Sequence, residues 1–106
     1  MQVIKLYLPM QNNEGDDLMS QHDLFIDKVK EKSHSITGFT RFEAEGFWFD
    51  KEMVFKDKIK IYEFHVSNYY IQYVYDFLKT EALTLRKSMT QEAIYLQLNS
   101  DTELVR

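Results

Sequence analysis

The stretch Gly38-Phe39-Thr40-Arg41-Phe42-Glu43-Ala44-Glu45-Gly46-Phe47-Trp48-Phe49 decides how this chain is read. Phe42, Ala44, Gly46 and Trp48 fall on one side of an extended backbone, and Arg41, Glu43 and Glu45 on the other, which is the period of a β-strand. Phe47 and Phe49 then put apolar groups on the polar side. Either a bulge at Gly46 shifts the register, or both faces are covered beyond that point.

Working outward, Lys58 to Val66 reads as the next strand, with Ile59 and Ile61 on one face and Tyr62, Phe64 and Val66 on the other. Between the two strands, Asp50 to Asp57 reads as a turn with a short β-extension at Met53-Val54-Phe55. Two neighbouring strands with apolar residues on both faces imply a sheet packed on both sides, and a second subunit is the economical cover for the side without helices.

Upstream, residues 2 to 9 form a β-rich segment ending at Pro9, which cannot donate to a ladder. After a polar loop around Gly15, Asp16 or Asp17 caps a helix whose Leu18, His22, Phe25 and Val29 share one face, widened by Leu24 and Ile26. Downstream, Ser67 or Asn68 caps a second helix carrying Ile71, Val74, Tyr75, Leu78, Ala82 and Leu85 on one stripe. Glu92 to Asn99 reads as a last strand with Ile94, Leu96 and Leu98 inward. The order is βαββαβ, the signature of an α+β, ferredoxin-like unit: an antiparallel four-stranded sheet with two helices on one face. It predicts a single domain over residues 1–99 and a C-terminal tail over 100–106.

With 106 residues, 44% hydrophobic and 15% aromatic, the chain suffices for one packed core. It has no cysteine, so disulfides and thiol chemistry are excluded, and a cytoplasmic location is expected. The first residues lack the pattern of a signal peptide, and no apolar run approaches the roughly 20 residues of a membrane helix. The net charge of −4 is interspersed, without the basic cluster that nucleic-acid binding needs.

In that frame the middle of the chain resembles the PII-like signalling superfamily. Gly38-Phe39-Thr40 is similar to its entry into the second strand, Glu43 and Glu45 to its acidic residues, and Gly46-Phe47 to its Gly-aromatic pair. Lys58-Ile59-Lys60-Ile61 and the helix from Asn68 extend the likeness to about residues 36 to 80. The resemblance implies a ferredoxin-like fold and an oligomer, with Phe39, Thr40 and Lys87 where ligand contacts would be tested. The chain departs from that family in two places. Its link from Trp48 to Lys58 is too short for the long signalling loop, and residues 87 to 93 contain no glycine with which to cradle a phosphate. Nucleotide binding is therefore not implied.

Candidate chemistry is sparse. His22, His34 and His65 do not match a metal-ligand spacing, and no serine sits in a nucleophile motif. His22 reads as a hydrogen-bonded structural residue, His34 as a helix C-terminal cap, and His65 as a partner for Glu63 on one strand face. Glu43 and Glu45 lie about 7 Å apart if extended, a spacing that acid–base pairs can use, but they read better as a solvated or interface rim. No catalytic, cofactor-binding or metal-binding residue is assigned. The candidate interaction surface comprises Glu43, Glu45, Phe47, Phe49, Tyr69, Tyr70 and Tyr73, aromatic residues being favoured where proteins meet.

Three functions are expected in order. The first is a non-enzymatic binding or regulatory protein, acting as a dimer or trimer on a protein partner or small effector. The second is a phage or mobile-element inhibitor of a host factor such as a nuclease. The third is a small dimeric α+β-barrel monooxygenase or isomerase using His22 or His65 in an aromatic pocket.

Overall fold

In a computed structural model describing residues Met1–Arg106, the first strand, β1 (Gln2–Pro9), sets the frame. Ile4, Leu6 and Leu8 are fully buried and alternate with Lys5 and Tyr7, which face the other way. Helix α1 (Met19–Lys30) follows the Asn12–Asp17 loop, where Asn12 Oδ1 accepts from the Glu14 and Asp16 amides. Gly15 makes that turn with φ +85°, a conformation that favours glycine. Asp17 Oδ1 accepts from the Met19 amide at 3.0 Å just ahead of the helix, but the cap position itself is Leu18, one residue beyond the expected Asp16 or Asp17, and it has no side-chain cap bond. Leu18, His22, Phe25 and Val29 are all buried, whereas Leu24 turns to solvent.

Strands β2 (Phe39–Asp50) and β3 (Met53–Val66) form one long hairpin. Its register runs without a break from Phe39↔Phe64 to Asp50↔Met53, so Gly46 is not a bulge. The expected turn over 50–57 shrinks to Lys51-Glu52, with Lys51 at φ +56°. Apolar residues on both edges, Phe47 to Phe49 against Met53 to Phe55, extend the ladder where the charged residues between suggested a loop.

Helix α2 (Ile71–Ser88) has Tyr70 as its N-cap, beyond the expected Ser67 or Asn68, after a turn closed by the Tyr70 amide on the Ser67 carbonyl. Its far end carries the paired bonds Gln91 N–H to Arg86 carbonyl and Thr90 N–H to Lys87 carbonyl, a Schellman ending with Thr90 in the left-handed region at φ +54°. Strands β4 (Ile94–Leu98) and β5 (Asp101–Val105) complete the sheet.

The sheet is antiparallel, has five strands and runs β2-β3-β1-β4-β5. The expected four-stranded sheet and tail are corrected here. Residues 101–105 pair with β4, and Val105 is buried opposite Ile94. Asp101, Thr102 and Glu103 concealed that strand, because an edge strand needs few apolar residues. Both helices pack on one face. Phe25 meets Tyr62 and Phe64 edge-on, and Val74, Leu78 and Ala82 close over Leu6, Ile94 and Leu96 in the same core. Each such large side chain contributes about 1.5–3 kcal/mol by leaving water. No helix is long and apolar enough to cross a membrane.

Candidate functional site

The other face of the sheet carries no helix. In register it presents Tyr7 beside Tyr95 and Ile61, Phe42 beside Ile61, Ala44 beside Ile59, and Leu104 beside Tyr95. All of these side chains except Phe42 form the floor of a cleft of about 660 Å³, within the range of small-molecule sites. Its rim comes from three places. Glu45, Gly46, Phe47, Trp48 and Asp57 belong to the hairpin, Asn13 to the first loop, and Gln91, Glu92 and Ala93 to the passage from α2 to β4. The last segment is held in place by Arg86 Nη1 donating to the Gln91 carbonyl and by Gln91 Nε2 donating to the Met89 carbonyl.

The hairpin closes one side of this cleft. β1 pairs with β3 only at Ile59 to Val66, and the Met10 amide bonds the Lys58 carbonyl. Beyond that point β2 and β3 are a two-stranded arm. Trp48, on the arm, stacks on Tyr95 of β4 with ring centroids 5.3 Å apart and planes 8° from parallel. The indole lies against the strand at Gly46, where a Cβ would stand in ordinary contact with Trp48 Nε1 at 3.6 Å. Tyr7 meets Tyr95 edge-on at 6.1 Å, and its hydroxyl donates to Gln97 Oε1 at 3.1 Å.

Three carboxylates stand around this aromatic wall. Glu45 is paired with Lys56 at 3.3 Å. Asp57 and Glu92 have no ion-pair partner. The cleft therefore combines flat aromatic surfaces with uncompensated negative charge. That combination suits a cation attached to a planar ring system.

The histidines lie elsewhere. His22 is fully buried on the sheet-facing side of α1, as its place on the packed face implied. Its Nε2 lies 2.8 Å from the Pro9 carbonyl, which can only accept, so Nε2 carries the proton. Nδ1 then accepts from the Tyr62 hydroxyl at 2.6 Å, and Arg41 Nη1 reaches the same oxygen at 3.4 Å. Burial first, then the charges of Arg41 and Lys60, hold the His22 pKa below its usual value against the opposing effect of the Pro9 bond. Burial likewise pushes the Tyr62 phenol up, with Arg41 opposing. His65 pairs with Glu63 at 2.9 Å on the exposed surface. His34 lies against the rings of Tyr70 and Tyr73.

The sequence-predicted surface divides in two. Glu45 and Phe47 reach the cleft rim, while Glu43 pairs with Lys60 at 3.2 Å and Phe49 is exposed near the arm's tip. Tyr69, Tyr70 and Tyr73 stand at the start of α2: Tyr69 is the most exposed, Tyr70 packs partly into the core, and the Tyr73 hydroxyl accepts from Lys32. Phe39 is packed on Tyr62 and Phe64, and neither it nor Thr40 nor Lys87 lines the cleft. Sequence reading missed Tyr7, Asp57, Glu92 and Tyr95. The available signal was the set of outward-facing aromatic residues on β1 and β4, opposite the core alternation.

No family model and no curated protein matches this sequence. Solved structures do share its fold over nearly the whole chain. A phage SAM lyase in complex with S-methyl-5′-thioadenosine superposes with a TM-score of 0.66 at 8% identity, covering 98% of this chain and 88% of the other. A phage SAM lyase in the apo state gives a TM-score of 0.69 at 7% identity, covering 98% and 87%. At such identity the likeness is one of fold. These neighbours are enzymes and not PII-like proteins, which corrects the expectation of a non-enzymatic regulator. No histidine lines the cleft, so neither His22 nor His65 stands in it as the expected monooxygenase or isomerase pocket would require.

Proposed function

We propose that this chain is an enzyme of ferredoxin-like fold, extended by a fifth strand, that cleaves S-adenosylmethionine or a close sulfonium nucleoside as a lyase. The observation that carries the reading is the cleft on the helix-free face, where stacked aromatic rings stand beside the unpaired carboxylates of Asp57 and Glu92. The fold shared with two SAM lyase structures supports it.

S-adenosylmethionine offers a planar base, a sulfonium cation and an α-ammonium group. Aromatic faces suit the first two, and carboxylates the third. To release S-methyl-5′-thioadenosine, the bond from sulfur to the γ-carbon breaks and its electron pair stays on sulfur. The substrate's own carboxylate oxygen takes the vacated position on the γ-carbon, closing a lactone. Atoms balance without water, and no proton has to leave. Opposite charges of sulfonium and carboxylate disappear in this step, so an apolar floor of Ala44, Ile59 and Ile61 favours the transition state over the solvated ground state. The protein's task is then to hold the substrate chain folded, through Asp57 and Glu92 on the ammonium, and to exclude water.

The test is incubation of purified protein with S-adenosylmethionine, followed by chromatography and mass spectrometry. S-Methyl-5′-thioadenosine is expected to appear in proportion to protein and above a protein-free blank. Intact substrate after prolonged incubation with stoichiometric protein refutes the reading.

A further inference from the structure

In a flat sheet Trp48 and Tyr95 would be far apart. Tyr95 shares its row with Tyr7, Ile61 and Phe42, so Trp48 lies three strands across and six residues further along. At about 4.8 Å per strand and about 3.3 Å per residue, that is roughly 24 Å. The observed ring separation of 5.3 Å means that the arm arches back over the helix-free face. Twist and coiling of the sheet bring it there. The contact is not held by a ladder, because the arm beyond Lys58 has no third strand.

We propose that Trp48 and Tyr95 are the two jaws of a purine-binding slot, and that the β2–β3 arm is the flap that opens it. The jaws are already near parallel, which is the arrangement a planar ring needs to be sandwiched. Stacked rings touch at about 3.5 Å, so admitting one more aromatic layer requires the arm to lift by about that distance. Two features make the movement cheap. The arm is a two-stranded ribbon with no third strand beside it, and Phe47, Phe49, Met53 and Val54 on it are all more than half exposed. Tyr95 by contrast is fixed on β4, between β1 and β5, and braced by Tyr7. One jaw is rigid and the other moves. Base stacking on such a pair is tolerant of what the base carries, so the slot holds the purine by its faces, and the carboxylates select the cation attached to it.

This inference rests on the proposed reading of the cleft, but its test separates the two. The chain contains one tryptophan, so its fluorescence reports the moving jaw alone. Titration with S-methyl-5′-thioadenosine is expected to change Trp48 emission saturably. Tyr95→Ala is expected to weaken binding of the same probe roughly tenfold or more by calorimetry, with Tyr95→Phe retaining it and a thermal melt confirming that both variants fold. Saturable binding without a change in Trp48 emission overturns the slot, as does equal binding by Tyr95→Ala or no binding at all. If the probe binds as described and S-adenosylmethionine stays intact, the slot stands and the lyase reading fails. If S-adenosylmethionine is cleaved while Trp48 emission never responds, the lyase stands and the slot fails.

Discussion

Replacing Tyr62 by phenylalanine removes one oxygen from the middle of the core and leaves the ring in place. His22 Nδ1 then faces an apolar environment with no donor, because its other nitrogen is committed to the Pro9 carbonyl. A buried acceptor left without a partner costs about 1–3 kcal/mol. Arg41 also loses an acceptor, but it is exposed and water replaces it. In a chain of this size the midpoint of thermal unfolding should fall by roughly 5 to 15 °C. Changing both partners, His22→Phe with Tyr62→Phe, removes donor and acceptor together and should be milder than the sum of the two single changes.

The same pair sets a pH dependence. In the unfolded chain His22 takes up a proton near its ordinary value of 6.5, whereas in the fold its pKa is lowered, chiefly by burial. Between those two values the unfolded state binds a proton that the native state refuses. Stability contributed by neutral His22 is therefore complete above 6.5 and is lost as pH falls through that window, by up to about 1.4 kcal/mol per pH unit. Below the lowered pKa the loss levels off. Urea denaturation of wild type and the double variant at about pH 7.5 and about pH 5.5 measures it. The reasoning is refuted if Tyr62→Phe leaves the midpoint unchanged, or if the double variant keeps the full pH slope of the wild type.

Two further outcomes follow from local geometry. Thr90, a β-branched residue in the left-handed region at the end of α2, is strained, so Thr90→Gly should raise stability by about 0.5–1.5 kcal/mol in a thermal melt, while Thr90→Ala should gain less. Deleting residues 101–106 removes buried Val105 and the Glu103 carboxylate, which Lys79 and Tyr75 hold from α2. That truncation should cost more than about 2 kcal/mol, whereas a segment acting as a loose tail would leave the melt unchanged.

Periodicity made the core legible. Leu18, His22, Phe25 and Val29 on α1, and Tyr62, Phe64 and Val66 on β3, lie where the sequence put them, because burial on one face imposes a period that few other constraints disturb. The two apolar faces of β2 and β3 were legible as well, and the helix-free face is what they built. Two things were hidden. β5 is mostly polar, and Lys51-Glu52 turns without a glycine, so neither carries the usual local signal. The cleft was less visible still. Its walls come from β1, the hairpin, the α2–β4 passage and β5, and Trp48 meets Tyr95 only because the arm arches, a consequence of sheet coiling that no local pattern encodes. Glu45 and Phe47 were found as surface residues, but nothing in their spacing tied them to Asp57 or Glu92.

The central position of β1 has a bearing on how the molecule assembles. Its partners are distant in the chain, with Ile4 opposite Phe64 on one side and Leu98 on the other. Closing such loops costs entropy before any contact repays it, and topologies of this kind fold slowly. The β2–β3 hairpin needs only its two-residue turn, and hairpins of that kind form in about 1–10 μs. Tyr7 and Tyr95 become neighbours only when the last long loop has closed. The arm thus exists as local structure before the surface it will cover has been put together, and the cleft is among the final parts of the native state to appear.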